Sequence, residues 1–290
     1  MFASILVQTL VNGSVYALLA SGLSLLFGVG RVINLAHTAF FVLAGYFMWS
    51  FAQALGWGPI PSIAMTVVVT ALVGVLAYRF IIDRVRQHEQ TVLLITVAMA
   101  MAIQEILLAT FGEYYRTSPS LIPGETVILG SRVSNEYLLI IGVVAAVIII
   151  LWLLLAKTKL GTAIRATADD AEIASTMGIS VPRTLMITMG IATALAALAA
   201  CLIGSLWITY PMAWMSPLTT VLVIVVLGGL GSIKGSVIGA YIIALAELLA
   251  YSFLPSGPFL AKPFTLLVLI IVLVVRPGGL FGIILEEERL

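Results

Sequence analysis

The chain has 290 residues, of which 62% are hydrophobic and only 9% are charged. Because ordinary soluble domains carry roughly a quarter of charged residues, this composition excludes a soluble globular protein. The mean hydropathy of +1.19 predicts a polytopic membrane protein instead. The net charge of +1 gives no electrostatic reason to expect nucleic-acid binding, and the single cysteine excludes a disulfide within the chain.

The apolar residues fall into nine segments, several of which reach or approach the roughly 20 residues that a membrane-spanning helix needs. In chain order these are Phe2 to Val29, Leu35 to Leu55, Pro59 to Ile82, Thr91 to Phe111, Tyr137 to Ala156, Leu185 to Thr209, Pro217 to Leu230, Val237 to Phe253 and Phe264 to Val275. Asn12-Gly13-Ser14 interrupts the first segment, and the shortest segments cannot cross alone. We therefore expect an all-α polytopic fold with eight to nine hydrophobic segments and broken or re-entrant helices, which are tolerated where protein covers the backbone.

Lysine and arginine residues concentrate on the cytoplasmic side of membrane proteins. Counting crossings places on one side Arg79, Arg84, Arg86, Lys157, Lys159, Arg165, Arg183 and Arg276. The other side receives Arg116, Arg132 and Lys262. This distribution predicts that the loop 157–183 is cytoplasmic and that the N-terminus lies outside, whereas a break at Gly13 would reverse the N-terminal side.

The loop 157–183 contains the charged, alanine-rich stretch ATADDAEIASTMGIS (166–180), and alanine favours helix. Gly161 and Gly178 bracket this stretch, and Pro182 marks the start of the next helix. We expect one helix of roughly ten residues, about 15 Å long. On a helical wheel one face carries Ala171, Ala174 and Met177. The loop is either a solvated connector or, as loops with their own helix often are, a functional element.

Four stretches resemble the signatures of one family of transport proteins. In the loop, Glu172-Ile173-Ala174 is followed after three residues by Gly178, which resembles the EAA…G coupling loop of ABC-importer permeases. The other three are GLSLLFGVGRVINLAHTAFFVLAGYF (22–47), GGLGSIKGSVIGAYIIALAE (228–247) and RPGGLFG (276–282). Taken together in their order along the chain, the four stretches are similar to those of the branched-chain amino-acid permeases of the LivH type.

The resemblance implies one transmembrane permease domain over residues 1–290, with type II ABC-importer architecture, in a bacterial inner membrane. It implies three kinds of partner: a second homologous permease in a heterodimer, two cytoplasmic ATPases and a periplasmic binding protein. The chain has no GxxxxGK[ST] motif, so we expect neither enzyme activity nor a cofactor of its own, with ATP and Mg²⁺ bound by the ATPases. The implied ATPase-coupling residues are Arg165, Asp169, Asp170, Glu172, Ala174 and Gly178.

The implied substrates are leucine, isoleucine and valine. Urea, short amides and aromatic acids stay open as alternatives, because such importers take much of their specificity from the binding protein. One departure bears on substrate preference: the family commonly reads Asn-Leu-Ala-His-Gly, whereas Thr38 follows Asn34 to His37 in this chain.

Polar and ionisable residues inside apolar segments usually face the protein interior or an aqueous path. We therefore predict a translocation path or gate formed by Asn34, His37, Glu105, Gly229, Gly231, Gly235 and Glu247. Asn34 and His37, three residues apart, would share a helix face; alternatively, Asn34 caps the second segment and His37 bonds a neighbouring helix. The glycines suit either close helix packing or a broken helix.

Two other classes of function make different demands on these residues. A secondary transporter without ATPases would use Glu105 or Glu247 for proton coupling, whereas otherwise these carboxylates lock helix packing. A membrane-embedded enzyme would need a catalytic cluster within the spans, and we predict no catalytic residue. With two histidines and one cysteine, no metal site built from those residues is expected.

Overall fold

The computed structural model describes residues 2–128, 131–253 and 257–281, which form eleven α-helices and one short antiparallel hairpin. The helices are α1 (Phe2–Gly30), α2 (His37–Trp49), α3 (Pro59–Phe80), α4 (Glu89–Phe111), α5 (Asn135–Lys157), α6 (Lys159–Asp169), α7 (Ala171–Thr176), α8 (Val181–Ile203), α9 (Met215–Gly228), α10 (Ile233–Phe253) and α11 (Gly257–Val275). The strands are β1 (Glu125–Ile128) and β2 (Ser131–Ser134). This architecture confirms the predicted all-α polytopic class, and the chain is a multi-pass membrane protein.

The nine apolar helices, α1–α5 and α8–α11, run in alternate directions between two ends of the molecule. At the end where α6 and α7 lie, here called the loop end, Gly28 of α1 contacts Gly231 between α9 and α10. At the end where β1 and β2 lie, here called the hairpin end, the backbones of Arg116 and Thr209 exchange two hydrogen bonds of 2.9 and 2.8 Å. Within the described residues, consecutive apolar helices are thus connected alternately at the loop end and the hairpin end.

Six of these helices are long and apolar enough to cross a membrane. Helices α2 and α9, with 13 and 14 residues, rise only about 20 Å, short of the roughly 30 Å of a hydrocarbon core. Each adjoins non-helical backbone, residues 31–36 before α2 and 229–232 after α9. Almost every residue of α2 is buried, so protein covers this short helix as the expectation of broken helices requires.

Helix α1 is the central helix and runs unbroken through Asn12-Gly13-Ser14, so the predicted interruption there is wrong. The small polar residues serve packing against α10 instead. A Cβ added at Gly13 would lie 2.9 Å from the Cε1 atom of Tyr241, and the hydroxyl groups of Ser14 and Tyr241 are 3.0 Å apart. The absence of Cβ at Gly13 therefore lets an aromatic ring lie directly on α1.

Candidate functional site

The charged loop folds into two short helices, not the single helix that the sequence predicted. Thr158 begins α6, where its hydroxyl accepts a 3.0 Å hydrogen bond from the amide of Gly161. One face of α6, with Gly161, Ile164 and Thr167, is buried. Gly161 lies inside α6 and permits close contact with the last carbonyls of α5, so the prediction that it brackets the helical stretch from outside is wrong.

Helix α7 has six residues, too few to be stable alone in water, and both of its ends are capped. At its start, Oδ1 of Asp170 accepts hydrogen bonds from the amides of Glu172 and Ile173, at 2.8 and 2.9 Å. At its end, the amide of Gly178 bonds the carbonyl of Ser175 at 3.0 Å, and Ile179 bonds Ala174 at 3.0 Å. This is the double bond pattern of a Schellman motif, and the φ of 84° at Gly178 is the left-handed conformation that it requires.

The surface of α7 differs from the helical-wheel expectation. Ala174 is buried, but Met177 is 79% exposed because the chain leaves the helical register there. Ile173 is also 59% exposed. Two large apolar side chains four residues apart therefore lie in the open beside the exposed carboxylate of Glu172.

The loop is attached to the end of the central helix. The Nη2 atom of Arg31 donates a 2.7 Å hydrogen bond to the carbonyl of Ala168. Arg31 itself has a φ of 54°, unusual for a residue other than glycine. A cleft of about 570 Å³ adjoins this contact, lined by Gly30, Arg31, Arg86, Gln87 and the segment 167–172 among others.

Asn34 lies in the break between α1 and α2, His37 is the first residue of α2, and the two side chains reach different neighbours. Asn34 accepts a 3.0 Å bond from the amide of Ala36 and points its Nδ2 atom at the sulfur of Met189 in α8, 3.4 Å away. His37 donates from Nε2 to the carbonyl of Leu19 in α1 at 3.0 Å. The predicted shared helix face is therefore wrong, because Asn34 precedes α2; Asn34 bonds the backbone before α2 and His37 bonds a neighbouring helix.

The glycine-rich segment combines close packing with a true helix break. Gly235 in α10 lies against the carbonyl of Gly228 at the end of α9, so that a side chain at either position would overlap backbone. Between them, Gly229 and Gly231 adopt φ values of 98° and 83°. The C-terminal motif completes the break, since the amide of Leu280 bonds the carbonyl of Leu227 at 2.8 Å and Phe281 bonds Gly228 at 3.0 Å. These bonds satisfy carbonyls that the end of α9 leaves without helical partners.

Glu247 in α10 belongs to a polar cluster that joins four helices. Its Oε2 atom accepts a 2.8 Å hydrogen bond from the hydroxyl of Tyr16 in α1. Its Oε1 atom lies 2.9 Å from Nζ of Lys262 in α11. Lys262 also bonds the hydroxyl of Thr220 in α9. Each charge thus has a counter-charge and a hydroxyl partner, which groups at membrane depth require.

A cavity of about 410 Å³ occupies the hairpin half of the molecule, next to this cluster. Tyr16 contributes to both. Most of the other wall residues are aromatic or aliphatic, and they include Phe41, Val42, Ile203, Leu206, Trp207 and Tyr210. Thr209 and Ser216 add hydroxyl groups. The cavity can therefore hold a small molecule that has an apolar part and a few hydrogen-bonding groups.

Comparison with known proteins assigns the chain to a family. The family described as "Branched-chain amino acid transport system / permease component" matches residues 5–275. The chain is a member of this permease family. It is 30% identical to the high-affinity branched-chain amino acid transport system permease protein LivH of Escherichia coli (strain K12), over 93% of this chain and 92% of that protein. It is 28% identical to the permease protein BraD of Pseudomonas aeruginosa, over 96% and 94% of the two chains, and 28% identical to a probable LivH of Methanocaldococcus jannaschii, over 96% and 92%.

The permease brings only part of the predicted site together. Asp169, Asp170, Glu172, Ala174 and Gly178 lie within and around α7, at the loop end. Arg165 is exposed on α6, where its bond to the hydroxyl of Thr162 is a long 3.5 Å.

The predicted path residues are dispersed. Asn34, His37 and the glycines at 229, 231 and 235 flank the two helix breaks, whereas Glu247 lies in the cluster near the cavity. Glu105 is exposed on α4, and Gln104 is its hydrogen-bond partner. It does not line the cavity in this chain.

Sequence reasoning missed the roles of four residues of the permease. Met177 was predicted to share a face with Ala171 and Ala174, but its pairing with Ile173 on an exposed surface was missed, although their spacing of four residues is a readable signal of it. Lys262 had been assigned only a side of the membrane, whereas it pairs with Glu247. Tyr16 carried no signal at all, because a tyrosine within an apolar run is indistinguishable from ordinary core.

Proposed function

We propose that this permease is the transmembrane subunit of an ATP-driven importer of leucine, isoleucine and valine. The names of its relatives describe high-affinity branched-chain amino acid transport, and they support this substrate class. The proposed assembly contains a second homologous permease, two ATPases that bind ATP and Mg²⁺, and a substrate-binding protein. Its place is a bacterial inner membrane, with the loop end in the cytoplasm as the distribution of lysine and arginine predicts.

The observation that carries the proposal is the exposed apolar pair on α7. Ile173 of α7 and Met177, which directly follows α7, lie in the open on a helix that is capped at both ends. The preceding helix α6 is attached through Ala168 to Arg31 at the end of the central helix. A hydrophobic pair on a rigid helix is suited to fill a groove on a partner. We assign this role to an ATPase subunit, because Glu172 and Gly178 flank the pair as in the coupling loop of the family.

In the proposed mechanism, the ATPases move the loop as they close on ATP. The loop transmits this movement to the end of α1 through Arg31. The helix breaks at residues 31–36 and 229–232 are the points at which the bundle bends, because their backbone is not tied into helical hydrogen bonds. Access to the cavity then alternates between the two sides.

The lining of the cavity supports an aliphatic amino acid over urea as the substrate. Phe41, Ile203 and Trp207 offer apolar surface to a branched side chain, and each buried methylene contributes about 0.8 kcal/mol. Urea has no apolar part that would use this surface. The hydroxyl groups of Thr209 and Ser216 are available to the polar end of an amino acid.

The first experiment purifies the tagged chain from its native host in mild detergent and identifies every protein that accompanies it. We expect two ATPases and a second permease, and the associated binding protein should respond to leucine and not to urea. The double variant Ile173→Glu/Met177→Glu should lose the ATPases. The matched control is Leu55→Glu/Ile122→Glu, which places the same two charges at exposed apolar residues of the hairpin end and should retain them.

Two outcomes would contradict the proposal. If the chain purified alone and carried solute in liposomes without ATP, it would be a secondary transporter, and Glu247 would become the first residue to test. If both variants retained the ATPases equally, α7 would not be the docking element.

A further inference from the structure

A second and larger groove opens on the outer surface of the bundle, between α5 and α10 at the loop end. Its volume is about 920 Å³. Most of its wall is apolar and includes Ile148, Ile149, Trp152, Leu155, Val237 and Ile238. The groove is separate from the cavity at the hairpin end, with which it shares no residue. On α5 its lining runs from Ile148 to Ala156, about 12 Å along the helix, so it offers apolar surface to part of a hydrocarbon chain.

Two cations close the loop end of this groove. Arg165 of α6 and Lys234 of α10 both line it, and both side chains are exposed. Among the residues that the structure describes, Lys234 has no ion pair, and the single hydrogen-bond partner of Arg165 is the hydroxyl of Thr162. The described lining contains no aspartate or glutamate. The groove is therefore apolar along its length and positively charged at its mouth.

Trp152 indicates the depth at which this mouth lies. It is 52% exposed, lines the groove and precedes the end of α5 by five residues, or about 7.5 Å along the helix. Tryptophan in membrane proteins concentrates at the level of the lipid head groups. The two cations are therefore at head-group level while the apolar wall extends towards the middle of the bilayer.

We propose that this groove is a binding site for one anionic phospholipid, with its phosphate between Arg165 and Lys234 and an acyl chain along α5 and α10. Basic pockets between membrane helices select anionic head groups because the phosphate and the cations attract each other where water is scarce. The apolar wall adds a requirement that a free anion does not meet, namely an attached hydrocarbon chain. This inference needs only the membrane location of the chain, not the substrate or the ATPase partners.

The test is native mass spectrometry of the complete assembly, released from nanodiscs that contain phosphatidylglycerol and phosphatidylcholine in equal amounts. We expect retained phosphatidylglycerol that glycerol phosphate does not displace. Since each cation near a lipid surface contributes about a five-fold preference, Arg165→Gln/Lys234→Gln should reduce that retention about twenty-five-fold. The matched control is Arg84→Gln/Arg183→Gln, which removes two exposed cations outside the groove and should leave retention unchanged.

A photo-crosslinking residue at Ile238, which is exposed in the groove wall, identifies the occupant directly in native membranes. A phospholipid adduct supports the proposal. A crosslink to another polypeptide would overturn it, because the groove would then be a protein interface. Equal retention of the two lipids, an equal loss in the control variant, or displacement by glycerol phosphate would each overturn it as well.

Discussion

Thr38 donates a 2.9 Å hydrogen bond to the main-chain carbonyl of Trp214 and is completely buried. The indole of Trp214 in turn donates to Oε1 of Gln104 at 2.8 Å. Three elements that are distant in sequence, α2, the start of α9 and α4, thus meet at one tryptophan. Glycine, which the family commonly has at this position, cannot make the first of these bonds. Ala213 and Ser216 beside Trp214 line the cavity, so Thr38 helps to fix its wall.

The hydroxyl of Thr38 is therefore expected to stabilise the fold. Replacing it in Thr38→Val removes one buried hydrogen bond at nearly constant volume, which should cost about 0.6–1.5 kcal/mol of unfolding free energy. The reference is the parent protein, because Thr38→Ser would keep the donor but would remove a buried methyl group that costs a similar amount. The measurement is the thermal unfolding of the detergent-solubilised protein. A valine variant as stable as the parent would show that the bond contributes nothing.

Gly235 is expected to tolerate no side chain, whereas another helical glycine does. In Gly235→Ala the new methyl group would overlap the carbonyl of Gly228, and such overpacking costs about 1–3 kcal/mol. The matched control is Gly142→Ala in α5, where an added Cβ meets nothing within 4 Å and should gain up to about 1 kcal/mol. Unfolding temperatures of the two variants should shift in opposite directions. Equal shifts would argue against the close contact of α9 and α10.

The coupling role of the loop predicts a backbone effect at Gly178. Because an added Cβ there meets nothing within 4 Å but φ is 84°, the penalty comes from conformation and not from crowding. Gly178→Val should raise the ATP hydrolysed per substrate transported, and Gly178→Asn, which accepts left-handed backbone, should stay near the parent value. Glu172→Lys should also uncouple, through reversed charge. The ratio of ATP hydrolysed to substrate transported is measured in proteoliposomes of the complete assembly. A normal ratio in both the valine and the lysine variant would contradict the docking role of the loop.

The pair of Glu247 and Lys262 is expected to behave as a unit. In Glu247→Gln the cation of Lys262 loses its counter-charge, and because Lys262 is partly exposed the penalty should fall below the about 3–5 kcal/mol of a fully buried pair. The double variant Glu247→Gln/Lys262→Met should recover most of the loss in unfolding temperature. Uptake driven by ATP should not depend on a proton gradient in any of these variants. A double variant that is less stable than the single one would contradict the pairing.

The features that the sequence predicted well, the positions and ends of helices, depend on residues that are close together along the chain. Hydrophobic runs identified every apolar helix, and Pro182 correctly marked the start of α8, within whose first turn it lies. Gly178 ended a helix as expected. The loop was nevertheless predicted as one helix, because alanine-rich composition does not reveal that Asp170 uses its carboxylate to begin a new helix.

What the sequence could not predict depends on partners far along the chain. Tyr16 and Glu247 are 231 positions apart, and no periodicity relates them. The same holds for Arg31 and Ala168, 137 positions apart. Glu105 was predicted to line the path for a related reason. Hydropathy shows that a carboxylate lies within an apolar segment but not the direction in which it points, and Glu105 points out of the bundle.

Helix α1 ends at Gly30, directly before Arg31, which holds the loop, and it passes Tyr16, which forms part of the cavity wall. From Tyr16 to Gly30 the helix is continuous over about 21 Å, and a buried helix of this kind neither stretches nor compresses appreciably. A displacement of α6 that passes through the bond between Arg31 and Ala168 to Gly30 should therefore appear at Tyr16 as a shift in the same direction. In the proposed importer, the distance that the ATPases move the loop then sets how far the cavity wall moves.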